Sequence, residues 1–494
     1  MIELKTARFQ NIKTDALIIP VCEDTDIHSA SNTMLFPNNL SEYKEFAGKE
    51  GDKISFYGKQ GIEADRIIFF GIGKLSDITE ETFRKTAGKA VRESIAKGFE
   101  NLAFLMPDAN KLKIEAKKII QATGEGAYLA NNIFLKYKNK KEKKPLEKIY
   151  IAAKPEKVAQ VTKLFAQIKT VCNGTLTARE WANTPSNDKK PKIFAQSIIE
   201  AAKKHNIKTT LFSEKEISDL KMGGILEVAA GSEAKPFMLI LDYNPKNTKE
   251  IYAFVGKGVT FDSGGINLKQ GSGLEGMKFD MAGAAAVAAS VITLAKLKSK
   301  YRIIAALPIV ENMPSGSALR PGDVIKSFCG KTVEVNNTDA EGRLILADAI
   351  SYVEKEYKPK VIIDIATLTG ACVVALGENI AGVFSADKKL ADAIIEAGDN
   401  VYERCWAMPM PADYKKFLKS GVADISNISN SRWGGAITAS LFLSEFVKNT
   451  KWAHIDIAGP ASAKKASDYC EAGGTGFGVR LITDLILQDR LKNI

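Results

Sequence analysis

The segment Asn337–Leu344, NTDAEGRL, sets Asp339, Glu341 and Arg343 at alternating positions in an otherwise aliphatic neighbourhood. In an extended stretch, side chains at i, i+2 and i+4 leave the backbone on one side, so all three groups would enter one cavity. Two acids converging there repel unless a proton or a cation intervenes. The apolar run that follows, Leu344 to Ala347 with Ala349 and Ile350, predicts a helix just after the cluster and places the acids at a strand-to-helix junction. A second polar group lies upstream: Lys257, Asp262, the pair Gly264 and Gly265, then Lys269 and Asp280. Glycines after Asp262 suit a carboxylate held on a tight loop that approaches a ligand closely. The chemistry open to such a set is that of hard divalent cations, because carboxylates shared between two ions exchange repulsion for attraction.

Each residue also has a plainer reading. Asp280 precedes an apolar helical stretch and would serve as its cap; Asp339 and Glu341 would cap the next helix, with Arg343 as their ion-pair partner. Gly264-Gly265 would be an ordinary turn. A phosphate-binding loop around Gly256-Lys257 fails on spacing, since Ile251 stands where that motif has glycine and Gly258 follows the lysine instead of Ser or Thr. What weighs against the plain readings is their sum: four acids and two lysines beside glycine turns are more than a core buries without purpose. The three histidines, His28, His205 and His454, have no ligand spacing, which leaves carboxylates and one lysine as the candidate ligands.

The elements that must position these groups follow from the pattern of apolar runs. Asp15–Val21, Arg66–Ile72, Leu102–Met106 and Ile149–Ala153 read as strands, with helices over Glu80–Lys97 and Lys111–Ala130. Strands separated by helices predict an α/β domain with a largely parallel sheet. Lys136–Lys148 reads as a solvated linker, and a helical stretch starts at Glu156. The expected division is a smaller N-terminal α/β domain over residues 1–165 and a larger C-terminal α/β domain with a central mixed sheet over 166–494. In the latter, strands are expected at Phe237–Tyr243, Ile251–Val255, Arg302–Pro308 and Val361–Ile365, and helices at Ala282–Lys298 and Gly342–Lys355.

A chain of 494 residues exceeds what one core usually supports, and 45% hydrophobic with 26% charged residues is a globular balance. The formal charge of +11 leaves nucleic acid open as a partner, but the lysines scatter over polar faces and no motif supports it. Six well-separated cysteines without a CxxC pair fit reduced thiols in a cytoplasm. No signal-like N-terminus is seen, and no apolar stretch long enough to span a bilayer is expected.

VGKGVTFDSGG at Val255–Gly265, Lys269, MKFDM at Met277–Met281 and NTDAEGRL together resemble the leucyl aminopeptidase (cytosol aminopeptidase) family. ATLTGA at Ala366–Ala371, GAITASLFLSEFV at Gly435–Val447, HIDIAG at His454–Gly459 and GTGFGVR at Gly474–Arg480 extend the likeness, as does the stretch Ala178–Asn187. The resemblance implies a dinuclear metal exopeptidase that releases N-terminal amino acids from peptides by attack of a metal-bridging water or hydroxide. It implies a tighter metal site of Lys257, Asp262, Asp280 and Glu341 and an exchangeable one of Asp262, Asp339 and Glu341. Manganese or zinc, with cobalt or magnesium as further candidates, would occupy them. It further implies Lys269 as oxyanion stabiliser and Arg343 as the anchor of a bicarbonate that acts as general base. Met277, Thr367, Gly370 and Ala458 would line the pocket for a Leu or Met side chain, with Ala461 widening it. A homohexamer and an additional DNA-binding role complete what the resemblance suggests.

Overall fold

The computed structural model describes residues 2–5, 8–28, 43, 45–58, 61–139, 144–152, 158–245, 248 and 250–494. The chain divides into two compact units, Met1–Cys172 with Lys465–Glu471, and Asn173–Lys464 with Ala472–Ile494. Part of the expected linker, 140–143, and the expected helix start at Glu156 lie outside the described residues.

In the first unit the elements run β1 (Ile2–Lys5), β2 (Ala16–Val21), β3 (Lys53–Tyr57), β4 (Arg66–Gly71), α1 (Glu80–Ala96), β5 (Asn101–Leu105), α2 (Ala116–Ala130) and β6 (Lys148–Ala152). They form one sheet in the order β1-β6-β5-β2-β4-β3, parallel except where β3 runs against β4. Ile18, Ile68 and Phe104 meet Ala87, Val91 and Ala127 of the two helices on one face, while Leu17, Ile19 and Phe69 pack on the other. Burial on both faces is why these strands read as continuous apolar runs. The helix expected from Lys111 begins five residues later, because Asp108 first caps a short 3-10 turn through Asn110 N and Leu112 continues extended.

The second unit opens with the end of α3 (Val158–Asn183), then α4 (Pro191–Ala202), β7 (Ile207–Phe212), α5 (Glu214–Asp219), α6 (Gly223–Ala229), β8 (Phe237–Tyr243), β9 (Ile251–Gly256) and β10 (Gly258–Asp262). It continues with α7 (Ala282–Lys296), β11 (Arg302–Asn312), β12 (Val324–Lys326), β13 (Thr332–Glu334), α8 (Gly342–Tyr357), β14 (Val361–Ala366) and α9 (Gly370–Leu376). The remainder is β15 (Ala381–Phe384), α10 (Lys388–Val401), β16 (Cys405–Ala407), β17 (Ile425–Ser426), α11 (Gly435–Ser444), β18 (Lys451–Asp456) and α12 (Val479–Leu487).

A mixed sheet ordered β16-β15-β18-β14-β9-β11-β8-β7, with β10 beside β11, forms its centre. The α7, α10 and α12 side chains cover one face, and those of α6, α8 and α11 the other. Close approach comes from small residues: a Cβ on Gly256 would stand 2.6 Å from Ala284 Cα, and one on Gly283 would stand 2.1 Å from the Ile365 carbonyl oxygen. The run Gly271–Lys296 is long and apolar enough to cross a membrane, which corrects the sequence expectation. Its apolar window is 83% buried inside this unit, so the apolar character belongs to α7 packing against the sheet.

Neighbouring parallel strands β9 and β14 end together, with Gly256 opposite Ile365. Their carboxyl ends deliver Lys257 and Thr367 to one place. Crevices outside the carboxyl ends of strands are where open α/β sheets hold ligands.

Candidate metal centre and catalytic site

Lys257 follows β9, and its backbone N–H bonds to Ile365 O at 3.1 Å, which fixes its side chain over the end of β14. Its Nζ lies 2.9 Å from Asp280 Oδ2 and 2.8 Å from Glu341 Oε1, and donates to Thr367 O at 2.9 Å. Lys269 Nζ lies 2.8 Å from Asp262 Oδ2 and pairs with Asp339 Oδ1. Thus six of the seven charged residues of the two clusters, all but Arg343, converge in two lysine-centred groups. Lys257, Asp262, Asp280 and Glu341 are buried, while Asp339 keeps about a third of its side chain exposed.

The local backbone differs from the extended stretch expected at Asn337–Leu344. Glu341 already has helical angles and Arg343 lies in the first turn of α8. Alternation therefore does not make the three groups point together. Asp339 turns toward Lys269, Glu341 toward Lys257, and Arg343 Nη1 donates to the Asn427 carbonyl at 2.7 Å. The plainer readings fall with this geometry. Met281, not Asp280, occupies the N-cap of α7, and neither it nor Glu341 at the start of α8 makes a side-chain cap bond. Among the described residues no ion pair joins Arg343 to Asp339 or Glu341.

Four carboxylates face two ammonium groups, a formal excess of two negative charges in a largely buried space. Burial pushes the Asp280 carboxyl well up, and Asp262 and Glu341 add to the rise against Lys257 and Thr367. Burial likewise raises Glu341, with Asp262 contributing, and raises Asp339. Burial opposes the charge on Lys257, but Asp280, Glu341 and Asp262 outweigh it and hold the ammonium well above the usual lysine range; Lys269 behaves in the same way beside Asp262 and Asp339. Burial lowers Arg343 to about 10.

These residues fit divalent cations. One oxygen each from Asp262, Asp280 and Glu341 lie within 4.8 Å of one another. Asp280 Oδ2, Asp339 Oδ1 and Glu341 Oε1 are buried and, among the described residues, accept no well-aligned hydrogen bond, although each is within ion-pair reach of a lysine. Hard oxygen donors with a charge deficit are what such ions require.

Of the remaining candidates, Thr367 bonds directly to this centre. Met277 opens the 3-10 turn before Asp280, and Thr367 Oγ1 donates to Asp280 Oδ1 at 2.7 Å. Gly370 starts α9 with no atom within 4 Å of a Cβ built on it. Ala458 N donates to Asp456 Oδ1 at 3.1 Å, and Ala461 is buried. The histidines stand apart from the acidic cluster: His28 is in the first unit against Pro20 O, His205 ends a 3-10 turn, and His454 is buried against Asp364.

Sequence reasoning passed over residues that hold the candidate site residues in place. Asn427 clasps the start of the octapeptide: its Oδ1 accepts from Asn336 N at 2.9 Å and its Nδ2 donates to Asn337 O at 2.7 Å. Asp456 accepts from Leu368 N at 3.2 Å and Thr369 Oγ1 at 2.7 Å, which anchors the loop carrying Thr367. Asp456 lies inside a recognisable motif; Asn427, in an ordinary polar loop, carries no sequence signal.

The chain is similar to known proteins over most of its length. The model of the cytosol aminopeptidase family catalytic domain matches residues 176–483, and that of the family's N-terminal domain matches 27–141. A probable cytosol aminopeptidase of Chlorobaculum tepidum is 42% identical over 461 residues, 90% of each chain. One of Alkaliphilus oremlandii is 37% identical over 495 residues, covering 98% of this chain and 99% of the relative. Among solved structures, the bottromycin maturation enzyme BotP in complex with Mn superimposes with a TM-score of 0.86 at 31% identity, over 97% of this chain and all of that one. The relatives are named for the cytosol, and the chain's location is cytoplasmic. The chain belongs to the cytosol aminopeptidase family and is a metal-dependent aminopeptidase of two α/β domains.

Proposed function

We propose that this chain removes N-terminal residues from peptides at a centre for two divalent ions. Lys257, Asp262, Asp280 and Glu341 would hold the tighter ion, and Asp262, Asp339 and Glu341 the exchangeable one. The observation that carries the reading is the convergence of three buried carboxylates within 4.8 Å of one another beside the ammonium groups of Lys257 and Lys269. When bound, the two ions would activate a water for attack and polarise the scissile carbonyl.

The chain's own residues supply the rest. With an ion bound, Lys257 would serve as a neutral amine, its proton passing to solvent, and Thr367 O, which accepts from its Nζ, would orient the remaining N–H. Lys269, held beside Asp262 and Asp339, would keep its charge and stabilise the oxyanion that develops on the substrate carbonyl. Arg343 has Nη1 tethered to Asn427 O and a buried Nε without a hydrogen-bond partner among the described residues. That open part of the guanidinium suits a planar bicarbonate able to take up the proton of the attacking water. Met277, Thr367, Gly370 and Ala458 would border an apolar pocket for Leu or Met, with the open space at Gly370 receiving the side chain. A homohexamer rests on the family resemblance and is tested by sedimentation.

The deciding experiment is hydrolysis of Leu and Met amides by metal-stripped protein, with manganese, zinc, cobalt or magnesium restored singly. Folded protein inactive with every metal would sink the proposal.

A further inference from the structure

We propose that Asn312 is a positioning residue for the metal centre, acting through Asp262; the inference rests on the two-metal reading above. Asn312 ends β11 and is buried. Its Nδ2 donates to Asp262 Oδ1 at 2.9 Å and to the Thr338 carbonyl at 3.1 Å. Both partners only accept, so the amide nitrogen must be the end that faces them.

Asp262 Oδ1 also accepts from Gly264 N at 2.9 Å, which leaves Oδ2 turned to Lys269 at 2.8 Å. Rotating the carboxylate to exchange its oxygens would break two hydrogen bonds in a buried site. Asp262 therefore presents one fixed oxygen to the ions, and Asn312 is one of the two groups that choose it.

The second N–H does a different job. Thr338 precedes Asp339, and its Oγ1 donates to Gly264 O at 2.6 Å while accepting from Asn267 N at 2.9 Å. One amide thus ties the end of β10, which carries Asp262, to the segment that carries Asp339, two of the three residues assigned to the exchangeable ion. Asn312 is itself pinned, because its carbonyl accepts from Ser263 N at 3.0 Å and Ser263 Oγ at 2.8 Å. Its Oδ1 lies 2.8 Å from where a Cβ on Gly265 would stand, so only glycine, at φ +65°, fits beside it.

The test is Mn(II) titration of full-length wild type, Asn312→Asp and Asn312→Ser, read by the electron paramagnetic resonance of free Mn(II), alongside thermal melting without metal. Asn312→Asp keeps the shape, removes both donors and sets a carboxylate against Asp262. Affinity for the weaker-bound ion is expected to fall about 10- to 100-fold in both variants, the usual cost of losing a group that orients a metal ligand. A folded variant with unchanged affinity overturns the inference, as does a lower metal-free melting temperature without weaker binding. If Asn312→Asp does not fold, Asn312→Ser decides. A wild type that binds no Mn(II) overturns the two-metal reading and this inference with it, whereas wild-type binding with unaltered variants overturns the inference alone.

Discussion

The Lys257 side chain lies across the α-carbon of Gly342: a Cβ built there would stand 2.7 Å from Lys257 Cε and 2.8 Å from its Nζ. The glycine between Glu341 and Arg343 is thus required by the lysine and not by its own backbone, which is ordinary helix. Gly342→Ala should fold, because the atom displaced is the end of a flexible side chain. It should weaken the tighter metal ion about tenfold by moving Lys257. Metal analysis after dialysis checks this, and full retention of both ions would refute it.

Lys269 and Asp280 should separate cleanly. Lys269→Ala is expected to lower kcat about 100- to 1000-fold with metal content kept, since it removes an oxyanion partner. Asp280→Ala should lose metal. Equal metal loss in both variants would contradict the roles assigned.

For Arg343, substitution by Ala should leave both ions bound yet slow turnover about 100-fold. Any stimulation of the wild type by added bicarbonate should vanish. Metal release from this variant would mean that the arginine serves the ligands themselves.

Stability should carry a signature of Lys189. Burial, with Lys278 contributing, lowers this lysine to about 7, and its Nζ donates to Ala182 O and Lys278 O. The folded state therefore binds fewer protons than the unfolded one between about pH 7 and the ordinary lysine value near 10.4. Its contribution is present above that upper value and is lost as pH falls toward 7, so the melting temperature should rise with pH across this window. In Lys189→Met the rise should be shallower. Parallel melting curves for the two proteins would rule the effect out.

Much of the architecture was legible because it rests on local pattern. Phe237–Tyr243 and the β9, β14, α7 and α8 segments are apolar runs of the right length, buried on both faces, and their boundaries moved by a few residues at most. Strands such as β18, KWAHID, escaped as elements, because a buried His454–Asp364 pair and Asp456 interrupt the apolar signal.

The site divides along the same line. Residue types and spacing sufficed to single out Lys257, Asp262, Lys269, Asp280, Asp339, Glu341 and Arg343, since buried charge in an aliphatic context needs a partner wherever it sits. Which partner each has was decided only by tertiary structure. The octapeptide alone suggested three side chains on one side of a strand, whereas the start of α8 sends Glu341 to Lys257, Asp339 to Lys269 and Arg343 to Asn427. Asn312 and Asn427 act through bonds spanning 50 and 84 residues, and Gly342 through a lysine 85 positions earlier in the numbering. Such distances are closed by the sheet, which sets strand ends side by side, and not by any periodicity a sequence displays.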